Sequence, residues 1–213
     1  MAILKEGING PFSGKVGSIV GYQLNGQTVI RGLPKVVKRK PTALTSLNRA
    51  RMKAVSEFLK PLKQVIDFGY RNIAPRGSRV GTFQAAQSYT FRNAIDYDED
   101  NVPYVNPEKV LVFRGDLMEP LLLAVTREEN NVYIQWDTVQ YEYKRGILVV
   151  MAYAIENGQI WFDEGGAKIS DGSFIWNLGE AASFASYPHL HIYVGVYDVV
   201  GNELSDSVYG GCV

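Results

Sequence analysis

The sequence predicts an α+β chain in which a β-hairpin arm and a helical segment precede a C-terminal β-sandwich. Three observations predict it. Glycines recur at positions 7, 10, 14, 17 and 21, ahead of an Asn-Gly pair set between β-prone runs. An apolar stripe with helical spacing begins at Leu44, and short strand-like runs divided by turn signals fill the chain after residue 108. The resulting organisation is residues 1–41 for the arm and a basic linker, 42–107 for the helical segment and an acidic loop, and 108–213 for the sandwich.

The glycine spacing in a polar context argues for turns or close chain-to-chain approach, not for a packed helix. Ile19, Val20, Tyr22 and Leu24 lead into Asn25-Gly26, and Thr28, Val29 and Ile30 follow. Asn-Gly supplies the positive φ that a two-residue hairpin turn requires. A lone two-stranded hairpin is marginal, so this one must dock on the chain's own body or on a neighbour. Residues 35–40 form a basic linker that ends at Pro41. Leu44, Leu47, Val55, Phe58, Leu59, Leu62, Val65 and Ile66 then line one helical face, with Arg49, Lys53, Lys60 and Lys63 opposite. Thr42 or Thr45 can cap the start, Pro61 should kink or divide the helix near Lys60, and Gly69 stands where a stop is expected. A second helix is expected over 82–95, followed by an acidic loop over 96–107.

Candidate strands are 109–114, 121–126, 132–137, 147–155, 159–163, 173–178, 190–198 and 203–209. The seven after residue 120, separated by short turn sequences, read as a β-sandwich. The pattern resembles an immunoglobulin or fibronectin type III-like domain, with Trp136 expected to pack in the core against Tyr193.

Composition sets the outer limits. The 213 residues are 46% hydrophobic and 21% charged, which excludes a collagen, a coiled coil or a disordered tail. A chain of this length buries about 70% of its unfolded surface, so its core needs no disulfide. The single cysteine, Cys212, leaves no internal disulfide framework. With no long apolar run and no apolar signal stretch at its start, the chain is expected to insert in no membrane and to be cytoplasmic or particle-associated.

Charge is segregated. Residues 1–95 carry 16 basic and 3 acidic residues, whereas residues 96–213 carry 6 basic and 19 acidic ones, a split of +13 and −13. Such asymmetry points to a polyanion for the basic half, to the acidic half of another copy, or to neutralisation within one folded chain.

The string GPFSGKVGSIVG at 10–21, then RGLP at 31–34, then the helix holding RARMKAVSEFLKPLK at 49–63, resemble a large uncharacterised family of Bacteroidota proteins. SYTFRNAI at 88–95, Gly115-Asp116-Leu117 and SDSVYGG at 205–211 extend the likeness over essentially the whole chain. One departure is Val112-Phe113-Arg114, where the family pattern places a serine near 113, and it bears on where the sandwich begins. The resemblance implies the layout and no activity.

Chemical motifs are weak. Gly10 to Val16 has three residues between its glycines and lacks the hydroxyl residue after Lys15 that a phosphate loop needs. Asp96, Asp98 and Asp100 open like a calcium loop, but Asn101 and Pro107 occupy the positions that need Gly and Glu. His189 and His191 would share one face of a strand, yet a zinc site needs further ligands. Cys212 has nothing to fix its geometry as a nucleophile. The acidic pairs Glu128-Glu129 and Asp163-Glu164 point to opposite strand faces. Trp161, Trp176 and Tyr153 would serve sugar binding only if exposed.

The strongest signal is the basic cluster Arg31, Lys35, Lys38, Arg39, Lys40, Arg49, Arg51 and Lys53, competing with a plain solvated face. The leading expectation is a non-enzymatic, self-assembling structural subunit, of a phage-type virion or other particle, with no cofactor and no metal. It would form homo-oligomers and meet other particle proteins through these residues. The alternative is sequence-independent nucleic-acid binding by the same residues.

Overall fold

The computed structural model describes residues 2–4, 10–24, 27–35, 40–74, 80–138, 145–179 and 186–213. The arm is a four-stranded antiparallel sheet, larger than the expected hairpin: β1 (Ala2–Leu4), β2 (Phe12–Val16), β3 (Ile19–Leu24) and β4 (Gln27–Gly32), in that order. Tyr22 faces Val29 and Leu24 faces Gln27, the register a two-residue turn demands. Asn25 and Gly26 themselves lie outside the described residues.

Helix α1 (Ala43–Leu59) is capped by Thr42, whose hydroxyl accepts from the Thr45 amide at 3.2 Å. Pro61 lacks an amide hydrogen, and the helix ends before it; α2 (Lys63–Gly69) restarts beyond. Gly69 is required by close approach. A Cβ there would lie 2.2 Å from the Val112 carbonyl oxygen. Helix α3 (Thr82–Asn93) follows, tied to α2 by a hydrogen bond from Thr82 to Asp67. The expected acidic loop is instead a small hairpin of β5 (Ile95–Tyr97) and β6 (Pro103–Val105), closed by Asp98 accepting from the Val102 amide.

Residues 109–114 do not form the expected strand. Pro107–Lys109 make a 3-10 turn, and the backbone beyond it finds partners outside any ladder. The Val112 amide donates to the Ser207 hydroxyl, the Ser207 amide donates to the Phe113 carbonyl, and the Arg114 amide donates to the Gly69 carbonyl. This buries Val110, Val112 and Phe113 as an irregular filler between helices and sheet.

The remaining strands are β7 (Leu122–Glu128), β8 (Asn131–Trp136), β9 (Gly146–Ala154), β10 (Gln159–Lys168), β11 (Ser173–Asn177), β12 (His191–Asp198), β13 (Glu203–Leu204) and β14 (Val208–Cys212). Ser205 and Asp206 divide the expected last strand in two. The strands make a three-stranded sheet, β11-β8-β7, and a five-stranded sheet in which β12 lies between β9 on one side and β13 and β14 on the other, with β10 beyond β9.

Two cores flank the five-stranded sheet. Val149, Met151 and Tyr153 join Val55, Leu59, Leu62 and Ile66 of the helices, while Leu148, Val150, Ala152 and Ala154 join Val132, Ile134 and Trp136 of the smaller sheet. Alternation along β9 therefore serves both faces, which is why the strand reads as an unbroken apolar run. The same alternation corrects one expectation. Tyr193 lies on the helix side and Trp136 on the sheet side, so the two do not pack together. Instead the Tyr193 hydroxyl donates to the Pro107 carbonyl at 2.9 Å, and the Trp136 indole donates to the Ile169 carbonyl at 2.7 Å.

Candidate functional site

The arm is set apart by what it lacks. Among the described residues, neither core contains any residue before Val55. Strand pairing places Phe12, Gly14, Val16, Ile19, Gly21, Ile30 and Gly32 on one face of the arm sheet. The opposite face carries Lys15, Val20, Tyr22, Leu24, Val29 and Arg31. Val16, Ile19, Leu24 and Leu33 are exposed, and Ile30 is 56% exposed.

The first half of α1 continues this pattern. No residue from Ala43 to Ala54 is buried, and Leu44 and Met52 stand in solvent. From residue 7 to residue 56 the chain holds nine cations and no carboxylate.

Of the cations singled out from the sequence, Arg31, Lys35, Lys40, Arg49 and Lys53 are exposed. Arg31 lies over the Tyr22 ring at 5.5 Å. Lys38 and Arg39 lie outside the described residues. Arg51 differs from the others: its guanidinium covers the Phe91 ring at 4.4 Å and donates to the Phe91 carbonyl at 3.3 Å. It ties α1 to α3, a role that a basic side chain in a cationic run does not announce. Arg71 is likewise held between Phe68 and Tyr197. The Lys53–Glu57 pair at 3.8 Å and the Lys109–Asp96 pair at 2.7 Å each lie within one charge block, so neither joins the basic block to the acidic one.

The weaker motifs resolve into structural roles. Lys15 sits within β2, opposite Val20, so residues 10–16 form no phosphate cradle. Asp96 is bound by Lys109 and Asn106, which hold its carboxyl below the usual range, and Asp98 caps the β5–β6 turn. His189 precedes the strand that His191 begins, so the two do not share a strand face as expected. His191 Nδ1 lies 2.7 Å from the Tyr209 hydroxyl, and the rings stack. Burial and then His189 push the imidazole down, while burial, Cys212 and Glu108 push the Tyr209 phenol up to about 12. Cys212 is exposed and unpaired, and burial of its sulfur followed by the charge of Glu156 raises its pKa, the opposite of a nucleophile's need. Trp176 and Tyr153 are buried, and Trp161 packs edge-on against Tyr187, so they form no exposed aromatic platform.

Sequence reasoning missed a second surface. Met118, Leu121 and Leu123 are all exposed, although the run around them reads as an ordinary core strand. Among the described residues, no helix is long and apolar enough to cross a membrane, and no three His, Cys, Asp or Glu side chains are grouped to hold a metal ion.

No curated protein and no solved structure matches the chain. A family model described as a family of unknown function, DUF6266, matches residues 11–211, and the chain belongs to that family.

Proposed function

We propose that the chain is a non-enzymatic structural subunit that assembles with copies of itself, its arm docking on a neighbour in a particle built of many copies. One observation carries this reading: among the described residues the arm sheet shares neither core and displays apolar side chains, and its strands β2, β3 and β4 lie in a stretch, residues 7–56, without a single carboxylate. Such a sheet finds its missing burial on another surface, and an acidic one suits its charge. The matched span of the family begins at residue 11, so it takes in β2, β3 and β4 of the arm.

We read the body as an immunoglobulin or fibronectin type III-like sandwich carrying a helical layer. The order β11-β8-β7 facing β10-β9-β12-β14 supports this, because the first, second and fifth strands form one sheet and the others its partner.

The test is sedimentation of the full chain over a concentration series, beside a variant lacking residues 1–34. The expected result is association at low salt that weakens as the screening length falls from about 10 Å at 0.1 M salt to about 3 Å at 1 M, and that is lost without the arm. A strict monomer at high concentration and low salt overturns the reading. Association that appears only when duplex DNA is added also overturns it, in favour of the alternative, a sequence-independent nucleic-acid binder using the exposed Lys35, Lys40, Arg49 and Lys53.

A further inference from the structure

Residues 116–123 build a surface with the opposite character to the arm. Met118 is 57% exposed, Leu121 47% and Leu123 66%, three large apolar side chains within six residues. The backbone beneath them is anchored: the Leu117 amide donates to the Leu204 carbonyl at 3.0 Å, the Asp137 amide donates to the Leu121 carbonyl at 2.9 Å, and Pro120 is buried. The patch is therefore a fixed feature of the body.

Its surroundings are acidic. Asp116 and Glu119 are exposed in the same segment, and the preceding Arg114 is engaged over the Tyr89 ring at 5.3 Å. The nearest cation along the strand, Arg127, is turned away, donating to the Tyr187 carbonyl at 2.6 Å and to the Glu129 carbonyl at 3.0 Å. These carboxylates repel phosphate, so nucleic acid is the wrong occupant. A basic, apolar protein surface is the right one, and residues 10–35 of this same chain supply it, with Lys15, Arg31 and Lys35 and no acid.

Relief is complementary too. Val16, Ile19 and Ile30 share their face of the arm with Gly32, where nothing lies within 4 Å of a would-be Cβ, so the face is open at that end, while the Phe12 ring fills the space over Gly21. Protruding Met118 and Leu123 can settle on such a face.

We infer that the Met118–Leu121–Leu123 surface receives the arm of a second copy, an assignment that rests on the self-assembly reading and names the site it uses. Arm and patch are different surfaces, so the contact is heterologous and each copy both gives and receives an arm.

Two full-length variants test it. One, Met118→Lys with Leu123→Lys, blocks the patch and keeps the arm. The other, Ile30→Glu with Arg31→Glu, blocks the arm and keeps the patch. All four positions are exposed, and circular dichroism with thermal melting verifies each fold. Under conditions where the parent polymerises, each variant alone is expected to be monomeric, with association weakened about tenfold or more. An equimolar mixture is expected to form dimers and nothing larger, because the one intact arm meets the one intact patch. If the patch variant polymerises like the parent, the patch assignment is overturned while self-assembly stands. A mixture that stays monomeric overturns it as well. A monomeric parent overturns both readings, and is seen before any variant is made.

Discussion

The ring of Phe12 covers the backbone of Gly21 so closely that a Cβ on Gly21 would stand 2.6 Å from Phe12 Cε2 and 2.6 Å from the Phe12 carbonyl oxygen. This contact locks β2 to β3, and among the described residues of the arm only Gly21 is buried.

Gly21→Val is therefore expected to open the arm sheet. Limited proteolysis should cut faster within residues 10–32, and salt-sensitive association should vanish, while the melting temperature of the body stays unchanged. Gly32→Val is the control, since nothing lies within 4 Å of its would-be Cβ.

Gly69 makes the corresponding demand inside the body. Gly69→Ala drives a methyl group into the Val112 carbonyl and the Phe113 Cα, at 2.2 Å and 3.0 Å. Overpacking of this kind costs about 1–3 kcal/mol, measured as a lower denaturation midpoint. Gly165→Ala, whose nearest neighbour is a methyl of Ile147 at 3.8 Å, should be tolerated.

Arg51 and Lys53 stand two positions apart and should behave differently. Arg51→Ala removes the cover of Phe91 and a hydrogen bond, at a cost of about 1–2 kcal/mol in chemical denaturation. Lys53→Ala breaks an exposed pair with Glu57, so stability should move by less than about 0.5 kcal/mol. Association at low salt should weaken with Lys53→Ala instead.

His191 gives the body a pH dependence. Its folded pKa lies below the ordinary 6.5 because the ring is buried against Tyr209, near His189 and opposite Cys212 and Tyr153. The unfolded chain takes up the proton first, so this stabilisation is present above pH 6.5 and is lost as pH falls through 6.5 toward the lowered value. The drop in denaturation midpoint between neutral and mildly acidic pH should be smaller in His191→Gln than in the parent.

Local signals carried the helices well, because Thr42 and Pro61 act on their own neighbours, whereas Gly69 answers to Val112, far away in sequence. The unbroken apolar run of β9 likewise announced a buried strand. Which face met which partner was hidden, since Tyr193 and Trp136 are assigned to opposite cores only by the pairing of β12 with its neighbours. Residues 109–114 look like a strand because their side chains are apolar, whereas their backbone partners, Gly69 and Ser207, are far away in sequence. At the candidate site, Arg49 and Arg51 look alike until α3 brings Phe91 beneath one of them. Leu123 reads as core because composition does not reveal on which side of β7 a residue emerges, and Leu121, just before that strand, is misread in the same way.

Because β9 is buried from both sides, the helical layer and the small sheet lean on the same wall. Peeling either one away leaves half of that wall wet and its other tenant less well supported. The body should accordingly lose its structure in a single cooperative step, with hydrogen exchange equally slow in α1's inner half and in β8. The arm owns no part of that wall, so it can detach, reorganise or be captured without loosening anything behind it.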